Sequence, residues 1–231
     1  MTLSNKIILG QISLYVFALI LSFCLTLPLL LHQYQFDGHC LLFSGGNWQE
    51  DDGLLNISWS SKFYCVLPIL TGVFIFLLSA AQIYRLARLY HKEKESSFLG
   101  LFVDAFCALL SCTLLLTSAI LITFGFIIWC GLMNERFPSC ETADGQNFTK
   151  SDVNIKTKGF YTQMGVAQFG GWSSFATWVG LSTFALLKLI NNHQLRNLRV
   201  SMFLERQKLV NEDNFRENLT DAPQADDSNS D

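Results

Sequence analysis

The sequence predicts an all-α membrane protein: a four-helix transmembrane bundle with two disulfide-stapled outer loops, the first of which can carry short β-strands. Half of the 231 residues are hydrophobic and only 15% are charged. The apolar residues fall into four blocks, each near or above the roughly 20 residues that a helix needs to cross a bilayer. The polar segments between the blocks carry cysteines and glycosylation-type triplets. This composition argues against an ordinary soluble domain.

The third block, residues 98–133, is the longest apolar run and fixes the orientation of the others. Asp104 is its only ionisable residue. A basic cluster precedes the run: Arg85, Arg88, His91, Lys92 and Lys94. The positive-inside rule places this cluster in the cytoplasm, so the third span leaves the membrane on the outer side.

The remaining spans are predicted at residues 7–31, 63–90 and 163–190. The first is longer than the core of a signal peptide and lacks a small-residue cleavage site, so it reads as an uncleaved span. The short connection between the second and third spans makes them antiparallel neighbours. Both termini are then cytoplasmic. Of 16 Lys and Arg residues, 11 fall on the cytoplasmic side and five outside, namely Lys62, Arg136, Lys150, Lys156 and Lys158.

Two segments follow the fourth span. Residues 191–212 are predicted to form a juxtamembrane cytoplasmic helix, with Leu195, Leu198, Met202 and Leu209 near heptad spacing. This helix either extends the fourth span or lies on the anionic inner leaflet, to which its arginines would be attracted. Residues 213–231 are acidic and polar, a composition that predicts disorder.

Four of the seven cysteines fall outside the membrane or at its outer interface: Cys40, Cys65, Cys130 and Cys140. Four cysteines in an oxidising compartment imply two disulfides. We favour Cys40 with Cys65 and Cys130 with Cys140, because each pair closes a single outer loop. The alternative joins Cys65 with Cys130 and Cys40 with Cys140, because Cys65 and Cys130 begin and end adjacent spans. No metal site is predicted, since neither loop has the CxxC or HxxxH spacing that zinc favours.

Three N-x-S/T triplets provide a test of this topology. Only lumenal sites are modified. Asn147 in the second outer loop is expected to be the better-used site, and Asn56, closer to the membrane, to be modified in part. Asn218 lies in the cytoplasmic tail and should not be used.

Small residues line the fourth span at four-residue spacing: Gly170 with Ser174, Ser173 with Thr177, and Ala176 with Gly180. Such pairs allow two helix backbones to approach closely, which is how helices associate within lipid. We interpret this span as the helix against which the other helices of the bundle pack. A homodimer face is the alternative interpretation.

Asp104 is the one candidate for intramembrane chemistry, because an acid within a span is costly and often marks a pathway or a partner. It lies near the cytoplasmic end, where it could reach headgroups or pair with Arg85 or Arg88, so a structural role is favoured. The sequence has no Walker loop, Gly-x-Ser-x-Gly elbow, His-Glu-x-x-His motif or paired carboxylates. No enzyme activity and no cofactor are therefore predicted.

Several strings point to one family. These are FDGHCLLFSGGNW after the first span, WC at Trp129 and Cys130, SC at Ser139 and Cys140, and FYTQMGVAQFGGWSSFATWVGLSTFALLKL in the fourth span. Together they resemble the transmembrane protein 179 family over the whole membrane region. The resemblance implies a four-span protein with cytoplasmic termini and the four outer cysteines as a shared framework. It implies no enzyme activity and no ligand, and it makes Asp104 a departure from an expected neutral residue.

The architecture is also similar to that of claudins and calcium-channel gamma subunits. Those proteins carry a W...GLW...C...C pattern in the first outer loop, whereas here Cys40 precedes Trp48. We therefore treat the likeness as one of architecture alone.

The functional expectation is a non-enzymatic multi-pass membrane protein that acts through protein partners, as an auxiliary, scaffold or adhesion-like tetraspan. A small oligomeric channel or transporter is the alternative. The lipid bilayer and a membrane-protein partner are expected, a homo-oligomer is compatible with the sequence, and the formal charge of -3 is too small to indicate nucleic-acid binding. The expected location is the plasma membrane or the endomembrane system.

Overall fold

The computed structural model of the protein describes residues 3–50, 53–92, 98–146 and 155–220. Four long helices and one two-stranded sheet make up this part of the chain. The elements in order are α1 (Leu3–Gln35), β1 (Cys40–Trp48), β2 (Leu55–Ser60), α2 (Phe63–Lys92), α3 (Phe98–Asn134) and α4 (Phe160–Thr220). All four helices are long and apolar enough to cross a membrane. The four-span bundle predicted from the sequence is confirmed.

The chain divides into two compact units, Met1–Ala185 and Leu186–Asp231, and α4 contributes to both. In the second unit, α4 continues through the predicted juxtamembrane helix to Thr220, so it also covers the start of the tail predicted to be disordered. Residues 221–231 of that tail lie outside the described residues. Large apolar side chains on this helix are exposed, among them Leu195, Leu198, Met202 and Leu209.

Within the first unit, α1 packs on α2, and α2 packs on α3. Small and hydroxyl side chains set these contacts. At Gly72 of α2, the Thr26 hydroxyl of α1 occupies the space that a Cβ atom would need. Ser118 of α3 donates a hydrogen bond to the Thr71 hydroxyl of α2 at 3.1 Å. Glycines and hydroxyl groups thus let the helices approach one another closely. In lipid this close packing replaces the hydrophobic effect as the cause of helix association.

The two strands form an antiparallel hairpin in the first loop, as the sequence predicted. The register pairs Cys40 with Ser60 and Gly45 with Ser58, and it is irregular between these pairs. In this bulge the Ser44 hydroxyl donates to the Cys40 carbonyl at 2.6 Å and accepts from the Ser60 amide at 3.1 Å. A regular strand would point Leu41 and Leu42 to opposite faces. The bulge lets both leucines be fully buried.

The hairpin lies directly on α3. A Cβ atom at Gly125 would come within 2.8 Å of Leu42 Cβ, so only glycine permits β1 to cross the helix this closely. At the far end of β1, the Trp48 indole N–H donates to the Leu132 carbonyl at 3.1 Å. The hydrophobic core is therefore continuous from the helices into the sheet and includes the buried Leu55 of β2.

Candidate functional site

Two disulfides hold the hairpin end of the bundle, meaning the end that carries the β1–β2 sheet. Cys40 at the start of β1 is bonded to Cys65 in the first turn of α2, with Cα atoms 5.7 Å apart. Cys130 in the last turns of α3 is bonded to Cys140 in the following loop, with Cα atoms 5.1 Å apart. The favoured pairing is thus confirmed and the alternative pairing is excluded. Each bond closes one loop.

Aromatic side chains also pack together at the hairpin end. The His39 ring stacks on Trp59 of β2 at a centroid distance of 4.8 Å, and Phe36 meets the same Trp edge-on at 6.4 Å. On the α3 side, the Arg136 guanidinium lies 5.6 Å from the centre of the Trp48 ring. Ring contacts and disulfides together make the hairpin a fixed element rather than a loose loop.

The two predicted glycosylation sites in the loops differ in their setting. Asn56 is the second residue of β2, opposite Asn47 of β1, and its side chain is exposed. Asn147 lies outside the described residues. Use of either site stays a prediction.

The small residues of α4 divide into two groups. Gly170 faces α1, where a Cβ atom would come within 2.7 Å of the Leu25 backbone nitrogen, and Ser174 one turn later is fully buried. Ala176 is exposed, and Gly180 has no neighbouring atom within 4 Å of its Cβ position. The structure therefore places Gly170 against α1, buries Ser174 on the same side of α4, and leaves Ala176 and Gly180 on a different side of the helix. The packing role assigned to the four residues remains a prediction.

A polar cluster is buried between the helices toward the end opposite the hairpin. Asp104 of α3 accepts hydrogen bonds from two side chains of α2: Gln82 Nε2 at 2.9 Å, and Arg85 Nη2, with which it forms an ion pair. The Asp104 side chain is 12% exposed and that of Arg85 is 40% exposed. The sequence predicted a partner for Asp104 at Arg85 or Arg88, and the structure selects Arg85.

The other two helices also reach this cluster. Tyr15 of α1 is buried and close enough to Asp104 and Arg85 to interact with both charges. Its ring meets Trp178 of α4 edge-on at a centroid distance of 5.9 Å. We define the buried polar cluster as Tyr15, Ser79, Gln82, Arg85, Asp104 and Trp178; Ser79 is fully buried on α2, one turn before Gln82.

Sequence reasoning found Asp104 and Arg85 but missed the rest of the cluster. One available signal was the heptad spacing of Asp104, Ser111, Ser118 and Gly125 on α3. Residues seven apart share one face of a helix. Ser111 and Ser118 are fully buried. Within the described residues, no three His, Cys, Asp or Glu side chains are placed to hold a metal ion.

This geometry defines a class of protein: a claudin-like tetraspan, with four membrane-spanning helices and a disulfide-linked hairpin at one end. The family model described as the Transmembrane protein 179/179B Claudin domain matches residues 7–210. The chain belongs to that family, as the resemblance in the fourth span indicated. The sequence analysis treated the likeness to claudins as one of architecture alone, because the cysteine and tryptophan pattern of the first loop differs. The family match shows that this interpretation was too narrow. No solved structure matches the chain.

Proposed function

We propose that this protein acts through membrane-protein partners, as an auxiliary, scaffold or adhesion-like tetraspan, and that the hairpin end is the partner-binding end. The observation that carries the proposal is the fixed hairpin: Cys40–Cys65 ties its base to α2, and Gly125 allows β1 to rest on α3. A binding surface that is rigid before association loses less conformational entropy on binding. Asn47 and Asn56 lie side by side on its exposed part.

The proposed orientation has the hairpin end outside the cytosol and both termini in the cytoplasm, in the plasma membrane or the endomembrane system. Two observations support it. Disulfides persist in oxidising compartments, and both bonds are at the hairpin end. Most Lys and Arg residues lie on the other side of the predicted spans.

Glycan mapping tests the orientation. Asn56→Gln, Asn147→Gln and Asn218→Gln variants of the full chain are expressed in cells, treated with glycosidase and compared by gel mobility. We expect the shift to decrease with Asn147→Gln, to a smaller extent with Asn56→Gln, and not with Asn218→Gln. A shift that disappears only with Asn218→Gln would invert the orientation.

Affinity purification in a mild detergent tests the partner-binding proposal. Asn47→Arg introduces a bulky charge on the exposed side of β1 without altering the Asn56 triplet, and Asn197→Arg is the matched control on the exposed helix of the second unit. We expect a stoichiometric membrane-protein partner to be recovered with the control and lost with Asn47→Arg. Equal recovery of the partner with both variants would show that the hairpin is not part of the interface. Recovery of no stoichiometric partner at all would count against the proposal itself.

A small oligomeric channel or transporter is the second candidate, favoured by one observation: a carboxylate, Asp104, within a span. The contacts of Asp104 with Arg85 and Gln82 support a structural role instead. Flux measurements on the protein in vesicles separate the candidates. A substrate-dependent current that Asp104→Asn abolishes would support transport.

A further inference from the structure

Four atoms of the buried polar cluster have no hydrogen-bond partner among the residues that the structure describes, although each is buried. They are Ser79 Oγ, Gln82 Oε1, Arg85 Nε and Trp178 Nε1. The first three come from successive turns of α2, and the Trp178 ring packs edge-on against Tyr15, the member of the cluster on α1. Most buried polar groups in folded proteins have a partner, so four such atoms among the members of this cluster call for an explanation.

Rotating the Gln82 amide does not remove the problem. In the observed orientation its NH2 group donates to Asp104 Oδ1 at 2.9 Å. The reversed orientation would place the amide oxygen against the carboxylate, which also has no proton to offer. Gln82 Oε1 is therefore an acceptor that needs a donor from elsewhere.

The hydrogen-bonding character of the four atoms indicates which kind of molecule can be their partner. Arg85 Nε and Trp178 Nε1 are donors, Gln82 Oε1 is an acceptor, and the Ser79 hydroxyl can do either. The Arg85–Asp104 pair is already balanced in charge, so a second ion would meet a like charge there. A small neutral molecule that both donates and accepts hydrogen bonds would satisfy all four atoms. Water has these properties.

We propose that the buried polar cluster is a water-binding site inside the helix bundle. A buried polar group without a partner destabilises the fold, and a buried water typically satisfies about three such groups. Access is from the end opposite the hairpin, because the Arg85 side chain is 40% exposed there. The bound water solvates the Asp104–Arg85 pair within the membrane. The inference is independent of the partner-binding proposal, since it concerns the bundle interior alone.

X-ray radiolytic labelling of the full chain in lipid nanodiscs tests the site. Hydroxyl radicals formed from bound water modify aromatic side chains beside that water, even where bulk solvent does not reach. Tyr15 and Trp178 are the reporters, and Phe160, which is fully buried at the first position of α4, is the reference for a side chain shielded from bulk solvent. We expect several-fold stronger labelling of both reporters than of Phe160. Labelling of the reporters at the Phe160 level would overturn the proposal.

Two variants locate the water. Ser79→Ala and Gln82→Met each remove one of the unpartnered atoms and should reduce labelling of Tyr15 and Trp178. Ser118→Ala is the matched control, because its hydroxyl already has a protein partner in Thr71. Reporter labelling that stays unchanged in both cluster variants would assign the water to another place and overturn the site. Formation of the two disulfides serves as the check that a variant has folded. If the Gln82→Met variant does not form them, the Ser79→Ala variant alone tests the site.

Discussion

At the hairpin end, the Cys40–Cys65 bond ties the sheet to α2 and Cys130–Cys140 ties α3 to the following loop, whereas at the opposite end Asp104 joins α3 to α2 through hydrogen bonds and an ion pair. A disulfide acts largely by restricting the unfolded chain, so its effect depends little on the surroundings of the bond. A buried ion pair depends strongly on desolvation and on every member keeping its partner. The hairpin end should therefore respond to reductant, and the opposite end to any change of charge.

The largest expected effect is at the Cys40–Cys65 bond. Replacing both cysteines with alanine should lower the free energy of unfolding by about 2–5 kcal/mol. The same change at Cys130 and Cys140 should cost less, by ~0.8 kcal/mol in the loop-entropy account, because this bond spans 10 residues rather than 25. Thermal unfolding in detergent, with and without reductant, measures both. A larger loss at Cys130–Cys140 would show that loop entropy does not govern this end.

The next effect concerns the ion pair. Asp104→Leu leaves the Arg85 guanidinium without a counterion and should cost about 2–3 kcal/mol, less than for a fully buried pair because Arg85 is partly exposed. Changing both residues, Asp104→Leu with Arg85→Met, should recover most of the loss. Arg88→Met is the control, since Arg88 contacts only the Tyr84 ring among its described interactions. A double variant no more stable than Asp104→Leu would contradict this account.

Close backbone contacts give a third, smaller effect. Gly125→Ala and Gly170→Ala insert a Cβ atom within 2.8 Å and 2.7 Å of neighbouring atoms and should destabilise by about 1–3 kcal/mol. Gly131→Ala and Gly180→Ala are matched controls on the same helices, because neither has an atom within 4 Å of the Cβ position. The controls should be neutral or slightly stabilising, since alanine favours helices. Similar changes in unfolding temperature in all four variants would show that the close contacts are not the cause of the destabilisation.

The smallest effect is expected between the two ends. Ser118→Ala removes the hydrogen bond to Thr71, and interhelical bonds of this kind contribute about 0.6 kcal/mol. Thr113→Ala is the control, because the Thr113 hydroxyl donates to the Leu110 carbonyl of its own helix at 2.8 Å. Equal unfolding temperatures for the two variants would show that the Ser118–Thr71 bond adds nothing to the bundle.

The fold was accessible from the sequence because its strongest signals are local. Four apolar runs predict four spans, and the bilayer thickness alone sets their length. The pairing of Cys40 with Cys65 and of Cys130 with Cys140 was favoured because each pair closes a single outer loop, and the structure excluded the alternative. The candidate site was accessible only in part. Asp104 is conspicuous in an apolar run, whereas Ser79, Gln82 and Tyr15 are common residues that gain meaning only from what faces them.

The sequence by itself determined the class of protein, the four helices, the outer loop that can carry short strands and the family, because hydropathy and cysteine placement act over short stretches of chain. Only the tertiary structure decided which residues meet between helices. It selected Arg85 rather than Arg88 for Asp104, turned Gly170 and not Gly180 toward a neighbour, and buried Leu41 and Leu42 together through a bulge. These outcomes depend on the rotation and depth of each helix against the next, which no single helix encodes.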